Sequence, residues 1–198
     1  MADGCDCTLG YDVLEIHLRQ LQADGSPNLT PGTWYESDSI IDFDVSPEIE
    51  EGKKNVLRCG GGIKNTYQGA DLLTGASLKI SLCCENPEVE YIINGAVGTI
   101  TYDSSSPPCA VGYEEPLPSE MVNALPFEAK IYVRVVEGSD TVKYKEIHFY
   151  HCLPTFSSEK GGQEEYVTPE YTIKCTDAPS YSPAPMPVRS WAQIAAIP

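Results

Sequence analysis

The sequence is poor in basic residues. It contains 13 lysine and arginine residues against 29 aspartate and glutamate residues, which gives a formal net charge of −16. A surface with this charge repels phosphates, so we do not expect the chain to bind DNA or RNA through phosphate contacts. Acidic charge also keeps many proteins soluble, and composition alone does not separate that role from a specific electrostatic one.

Long apolar runs and common catalytic motifs are also missing. The sequence has no run of 18 apolar residues, so no membrane-spanning helix is expected. Residues 1–13 lack the pattern of a secretory signal. The three glycines Gly60, Gly61 and Gly62 precede Ile-Lys-Asn rather than a phosphate-binding helix, and neither G-x-S-x-G nor H-E-x-x-H occurs. We therefore predict no enzymatic activity and no cofactor.

The segment from His148 to Cys175 is the first candidate for a metal site. His148 and His151 lie in a predicted strand, where residues three apart point to opposite faces of the sheet. Cys152 points away from His151 for the same reason, so a shared metal ion would require a bulge. The cysteine spacings match no C-x-x-C zinc signature. We predict no metal site and expect these side chains to be half-buried on a sheet.

The pattern is mostly that of strands, with one short helix. Residues 11–22 are rich in strand-forming residues, and residues 127–136 and 141–152 form two alternating segments across a turn, which predicts a hairpin. The stretch ENPEVEYIINGA predicts a helix that is capped by Asn86 and ends at Gly95. These elements favour a β-sandwich or a partly closed barrel with one short helix.

Composition suggests the boundaries of the domain. We assign an N-terminal arm to residues 1–10, a β domain to residues 11–176 and a proline-rich, extended C-terminal arm to residues 177–198. Within the domain, residues 46–70 are polar and glycine-rich, which predicts an extended hairpin. Residues 103–126 are rich in proline and serine, which predicts a long loop.

The stretch SIIDFDVS, residues 39–46, alternates between apolar and acidic residues. A period of two places Ile41, Phe43 and Val45 on one face of a strand, and we expect that face to contact the core. The acidic residues between them then point outward.

Eight cysteines are present, and sequence alone leaves their pairing open. Cys5, Cys7 and Cys109 lie in predicted arm or loop segments, where an oxidant has easy access. Disulfides would form if the protein acts in an oxidising environment, such as a virus particle released by lysis. The alternative is eight reduced thiols in a cytosolic protein, several of them simply buried.

The order of elements resembles the major tail tube proteins of tailed bacteriophages. An N-terminal strand is followed by DSIIDFDVSPEIEEGKK, a glycine-bearing hairpin and GASLKISLCCENPEVEYIINGA. The stretches PFEAKIYVRVV and EIHFYHCLPTFSSEKGGQEEYVTPEYTIKCT come next. The likeness covers most of residues 10–176 and is one of element order rather than of a diagnostic motif. The high cysteine count and the long proline-rich tail depart from the family.

The resemblance implies a structural virion protein that is made in the host cytoplasm. Its subunits would close into hexameric rings with a continuous inner β-barrel, and the rings would stack into a tube. DNA would pass through this tube without specific binding. The implied partners are other copies of the chain, a tape measure protein, and a tail sheath or terminator protein.

Three sets of residues acquire roles under this resemblance. We expect Asp38, Asp42 and Asp44 to line the lumen and repel DNA. We expect the hairpin around Gly60, Gly61 and Gly62 to contact the next ring and to become ordered only in the tube. At least one disulfide in the mature particle would involve residues such as Cys5, Cys7 and Cys109.

Two other classes of function stay open at this point. One is an extracellular or virion-surface β-sandwich that is stapled by disulfides and binds a partner. The other is a cysteine-rich metal protein with an enzymatic or redox role.

Overall fold

The computed structural model describes most of the chain. The described residues are 11–27, 34–52, 54–59, 62–68, 70–136, 142–160, 168–179, 181, 184 and 186–198. The predicted N-terminal arm, with Cys5 and Cys7, lies outside the described residues, as do Gly60 and Gly61.

The described part is mostly β, with one α-helix. In chain order, the elements up to the helix are β1 (Tyr11–Gln20), β2 (Tyr35–Ser37), β3 (Ile40–Glu50), β4 (Lys54–Cys59), β5 (Gly62–Gln68), β6 (Leu72–Leu82) and α1 (Pro87–Ile93). After the helix follow β7 (Thr99–Tyr102), β8 (Ala110–Glu114), a 3-10 helix (Glu120–Asn123), β9 (Phe127–Val136), β10 (Val142–Cys152), β11 (Ser157–Lys160), β12 (Thr168–Cys175) and β13 (Arg189–Ile194). The predicted mostly-β fold with one short helix is confirmed.

A large antiparallel sheet dominates the architecture. Its strand order is β2-β1-β9-β10-β12-β6-β3, with β11 added beside β12 and β13 beside β10. The predicted pairing of residues 127–136 with 141–152 is present as the long ladder between β9 and β10. Two small hairpins, β4–β5 and β7–β8, lie outside this sheet.

Strands towards both ends of the large sheet contribute to one core. Ile16 and Leu18 of β1 belong to the same buried cluster as Leu78 and Ile80 of β6. The helix adds Val89 and Ile93 to this cluster, so a helix of fewer than two turns is held by packing rather than by its own hydrogen bonds.

The ends of the helix follow from local sequence. Asn86 adopts an extended backbone, and its side-chain oxygen accepts hydrogen bonds from the amides of Glu88 and Val89. Pro87 occupies the first helical turn, where no amide donor is needed. Gly95 follows the C-cap residue with a φ of +87°, a conformation that glycine adopts without steric cost.

We expect Gly95→Ala to lower the free energy of unfolding by about 2–4 kcal/mol. An added Cβ would lie 2.7 Å from the Cβ of Ala124 and 2.9 Å from the amide nitrogen of Leu125. The matched control is Gly112→Ala, because a Cβ there would meet only Thr101, at 3.8 Å. Urea denaturation checks both variants, and equal stability losses would contradict this account.

The start of β3 departs from simple alternation. A bulge between Ile40 and Asp42 shifts the register of the β3–β6 ladder. Ile40 therefore lies in the core, whereas Ile41 is 53% exposed. The prediction that Ile41 contacts the core was wrong, because the extra residue of the bulge moves it to the surface. Phe43 and Val45 pack against the core as predicted.

Two segments contain more structure than their composition indicated. Residues 103–126, expected to form one long loop, include β8 and the 3-10 helix. Within residues 177–198, expected to form an extended arm, β13 pairs with β10, and Ala178 is buried and pairs with Met186. This tail lies against the domain along much of its described length.

Candidate assembly surface

The acidic residues of β3 point away from the core. Asp42 and Asp44 are both exposed, on the face opposite to Phe43 and Val45. Asp38 is also exposed but precedes the strand, and the bulge at Ile41 separates it from the alternation of β3. The structure thus brings Asp42 and Asp44 together on one face, with Asp38 outside that strand.

The outward face of β3 continues across two further strands. Asp42 lies opposite Ser81 of β6, and Asp44 lies opposite Lys79. Strand β12 continues these rows with Glu170 and Thr172. We call this surface the acidic face; its members are Asp42, Asp44, Ser46, Glu48, Ser77, Lys79, Ser81, Glu170, Thr172 and Lys174.

Charges of both signs occur on the acidic face. Lys174 Nζ lies 3.0 Å from the Glu48 carboxylate, and Lys79 lies beside Asp44 in the register. Most other members are serine or threonine. The face is therefore polar and only moderately negative, which the acidic pair in the sequence did not indicate.

The far end of the β3–β6 hairpin is apolar. Ile49 is 56% exposed, and Leu72 and Leu73 are 62% and 65% exposed. Ile49 pairs directly with Leu73, and Glu50 with Leu72, so these apolar side chains belong to adjacent positions of one ladder. We call these three residues the apolar end of the hairpin. The β4–β5 hairpin follows in the chain, with Gly62 as the first residue of β5.

A second polar region is buried, although the strand pattern in the sequence does not predict it. On β1, β9 and β10, the face that points away from the core carries a row of charged and aromatic side chains. Glu128 is fully buried there, and its carboxylate accepts hydrogen bonds from Arg19 and from Tyr181 of the tail, the latter at 3.0 Å. His148 Nε2 lies 3.0 Å from the same carboxylate.

Aromatic side chains cover this buried charge cluster. The Arg19 guanidinium lies over the Trp34 ring, 4.4 Å from the ring centroid. Lys130 Nζ lies 5.1 Å from the same centroid. Tyr181 packs edge-on against Tyr150. The cover comes from two segments distant in the sequence, so the alternation of β9 does not by itself reveal that Glu128 is buried.

The environment of Glu128 changes its pKa in two opposing ways. Burial alone would raise the pKa, because it penalises the charged carboxylate. The hydrogen bonds and charges of His148 and Arg19 outweigh burial and hold the pKa of Glu128 below its ordinary value. Burial and the nearby carboxylate of Glu128 together raise the pKa of Tyr181 to about 12. The cluster therefore holds an ionised carboxylate and a neutral phenol at neutral pH.

The two histidines of the candidate metal segment, His148 and His151, have separate partners. His148 belongs to the buried charge cluster, whereas His151 Nδ1 lies 2.8 Å from Thr176 Oγ1. Burial lowers the pKa of His151. In the part of the chain that the structure describes, no three His, Cys, Asp or Glu side chains are grouped as a metal site requires.

The five cysteines whose side chains the structure describes fall into two groups. Cys83, Cys84 and Cys109 are exposed, and Cys152 and Cys175 are buried. Cys109 lies in the loop between β7 and β8, and its amide donates to a carboxylate oxygen of Asp103 at 2.8 Å.

No family model matches the chain, and no curated protein matches it in sequence. Across the described residues, no helix is both long and apolar enough to cross a bilayer.

Proposed function

We propose that this chain is the repeating subunit of a bacteriophage tail tube, in which copies close into rings and the rings stack. The observation that carries the proposal is the long β3–β6 hairpin. It combines an outward polar face, a strand at the end of the large sheet and an exposed apolar end.

The apolar end suits a contact between copies of this chain. Two copies that each carry a net charge of −16 repel each other, so a stable contact between them requires an uncharged area. Ile49 and Leu73 provide such an area on one face of the ladder, and Leu72 is exposed on the other face, beside Glu50. Burying each of these side chains contributes about 1.5–3 kcal/mol. We assign this contact to the neighbouring ring, in keeping with the expected role of the hairpin around Gly60, Gly61 and Gly62.

The outer edge of β3 suits a contact within the ring. Among the described strands, β3 pairs only with β6 and ends the strand order of the large sheet. A strand in this position presents backbone donors and acceptors that a neighbouring subunit can pair with. Repetition around a ring would join the sheets into a continuous barrel, which removes such edges.

The acidic face then lines the lumen. Carboxylates such as Asp42 and Asp44 repel the phosphates of passing DNA, and the four carboxylates of the face outnumber its two lysines, Lys79 and Lys174. Screening limits this repulsion to roughly 8 Å at physiological salt, so only charge at the wall of the tube acts on DNA. A tape measure protein would occupy the same lumen before the DNA enters.

A second candidate function is a virion-surface binding module stapled by disulfides. The exposed Cys83, Cys84 and Cys109 favour it, since they could take part in such bonds. The two functions differ in oligomeric state, because a binding module needs no ring.

We expect the purified protein to form rings or tubes at high concentration, and Leu72→Asp with Leu73→Asp to block their formation. Placing two carboxylates in the contact removes about 3–6 kcal/mol of apolar burial, so association should weaken by at least about 100-fold. Sedimentation velocity and negative-stain electron microscopy measure the assembled fraction.

The matched control is Val122→Asp. Val122 is 86% exposed on the 3-10 helix, so the same type of substitution falls on an apolar residue outside the hairpin. Normal assembly is expected for this variant. A wild-type protein that stays monomeric in virion-like salt would contradict the tube function, whereas tubes that tolerate the double aspartate variant would contradict only the assigned contact.

A further inference from the structure

The two halves of the large sheet meet at a single described residue pair. Strand β10 belongs to one half, with β1, β2, β9 and β13, and strand β12 belongs to the other, with β3, β6 and β11. Their only register pair among the described residues is Cys152 opposite Cys175. Most of the edge of β10 that precedes this point, from Tyr144 to Phe149, pairs instead with β13.

The hydrogen bonds around this pair define its geometry. The amide of Leu153 donates to the carbonyl of Lys174 at 2.9 Å, and the amide of Thr176 donates to the carbonyl of His151 at 3.0 Å. These bonds flank Cys152 and Cys175 without joining them, so the two residues form a non-hydrogen-bonded pair. In an antiparallel ladder this is the type of pair whose side chains lie closest, with Cα atoms about 4.5 Å apart.

The side chains point at each other. The Sγ atoms of Cys152 and Cys175 lie 3.4 Å apart, and both residues have no exposed surface. A Cα separation of about 4.5 Å falls inside the range of disulfides, which extends from about 4.4 to 6.8 Å. A small rotation about each Cα–Cβ bond therefore brings the sulfurs to bonding distance without moving a strand.

We infer that Cys152 and Cys175 form a disulfide that links the two halves of the sheet. The oxidant is a small-molecule disulfide such as oxidised glutathione. One cysteine thiolate attacks this disulfide, forms a mixed disulfide and releases a glutathione thiolate. The second cysteine thiolate then attacks the mixed disulfide at the protein sulfur and releases the second glutathione. The two protein thiols lose two protons and two electrons, and one glutathione disulfide becomes two thiols.

Burial sets when this reaction takes place. Burial raises the pKa of the Cys152 thiol, and the neighbouring Cys175 raises it further. A protonated thiol is a poor nucleophile. The bond therefore forms while the chain folds, before β12 closes against β10. Cys5, Cys7 and Cys109 take no part in this bond. The bond does not depend on the tail tube function.

Peptide mapping of the wild-type protein tests the inference directly. The protein is refolded in a mixture of reduced and oxidised glutathione, alkylated under denaturing conditions and digested with trypsin without reductant. Cleavage after lysine and arginine separates residues 146–160 from residues 175–189, and each peptide contains one cysteine. We expect the two peptides to be recovered as one species linked by a disulfide. Two alkylated peptides, or peptides joined to other cysteines or to glutathione, would overturn the inference.

A second measurement uses a variant that keeps only this pair of cysteines. Cys5, Cys7, Cys59, Cys83, Cys84 and Cys109 are replaced by serine. The bond would close a loop between residues 23 positions apart, so we expect dithiothreitol to lower the melting temperature by roughly 5–10 °C. The matched control adds Cys152→Ala and Cys175→Ala to the six serine substitutions, and it should lack this step. Equal effects of dithiothreitol on both proteins would contradict a stabilising disulfide between β10 and β12.

Discussion

Replacing Glu128 by alanine is expected to lower the free energy of unfolding by about 3–5 kcal/mol at neutral pH. Glu128 is fully buried and pairs with Arg19, whose side chain is 11% exposed. Without the carboxylate, the Arg19 guanidinium stays in the same buried place but loses the opposite charge beside it. His148 and Tyr181 lose a hydrogen-bond acceptor in the same step. Urea denaturation, followed by circular dichroism, measures the loss.

An exposed ion pair between the same two strands provides the control. Arg134 of β9 pairs with Asp12 of β1, and their side chains are 44% and 60% exposed. Because water already solvates both charges, Asp12→Ala should change stability by no more than about 1 kcal/mol. Similar losses for Asp12→Ala and Glu128→Ala would show that burial does not decide the effect.

The pH dependence of stability separates the charge of Glu128 from its packing. The folded-state pKa of Glu128 lies below the ordinary value of 4.5. The stabilisation by its charge is therefore fully present above about pH 4.5 and is lost as the pH falls through the lowered folded-state pKa. Glu128→Gln keeps the size and one acceptor, so it should lose this acid-dependent part of the stability. An unchanged acid profile in Glu128→Gln would contradict the role of the carboxylate charge.

Elements that depend on neighbouring residues could be predicted from the sequence. The N-cap Asn86, the following proline and the positive φ of Gly95 are all properties of one short stretch, and the structure has each of them. The β9–β10 pairing was predictable for a similar reason, since two alternating segments are separated by a short turn.

Features that depend on distant segments could not be predicted in this way. Alternation placed Glu128 on the polar side of β9, and it does lie there, but Trp34 and Tyr181 cover that side. The bulge at Ile41 shifts the register by one residue, which a strict period of two cannot anticipate. The partner of Cys152 became visible only with the register of β10 and β12, because eight cysteines allow 105 complete pairings.

The acidic face leads to a prediction about DNA. In the proposed tube, Asp42→Lys with Asp44→Lys should leave assembly intact but convert a repelling wall into one that holds DNA. Both residues are exposed and point away from the core, so their replacement removes no packing. Each lysine that contacts a phosphate releases a counterion. This makes the slope of log K against log salt more negative by roughly 0.9. Genome ejection from particles that contain the variant should therefore be slowed.

Purified tubes offer the direct measurement. Fluorescent double-stranded DNA is titrated with wild-type and variant tubes at several salt concentrations. We expect measurable binding only for the variant with Asp42→Lys and Asp44→Lys. The matched control is Glu114→Lys with Glu115→Lys, which reverses two exposed charges elsewhere on the subunit and changes the net charge by the same amount. If total charge governed DNA repulsion, this control would bind DNA as well as the β3 variant. If the β3 lysines faced the outer wall of the tube, DNA would bind but ejection would proceed at the normal rate. Only variant tubes that both bind DNA and slow its passage support a lumen lined by Asp42 and Asp44, because ejection depends on charge that the DNA meets inside the tube.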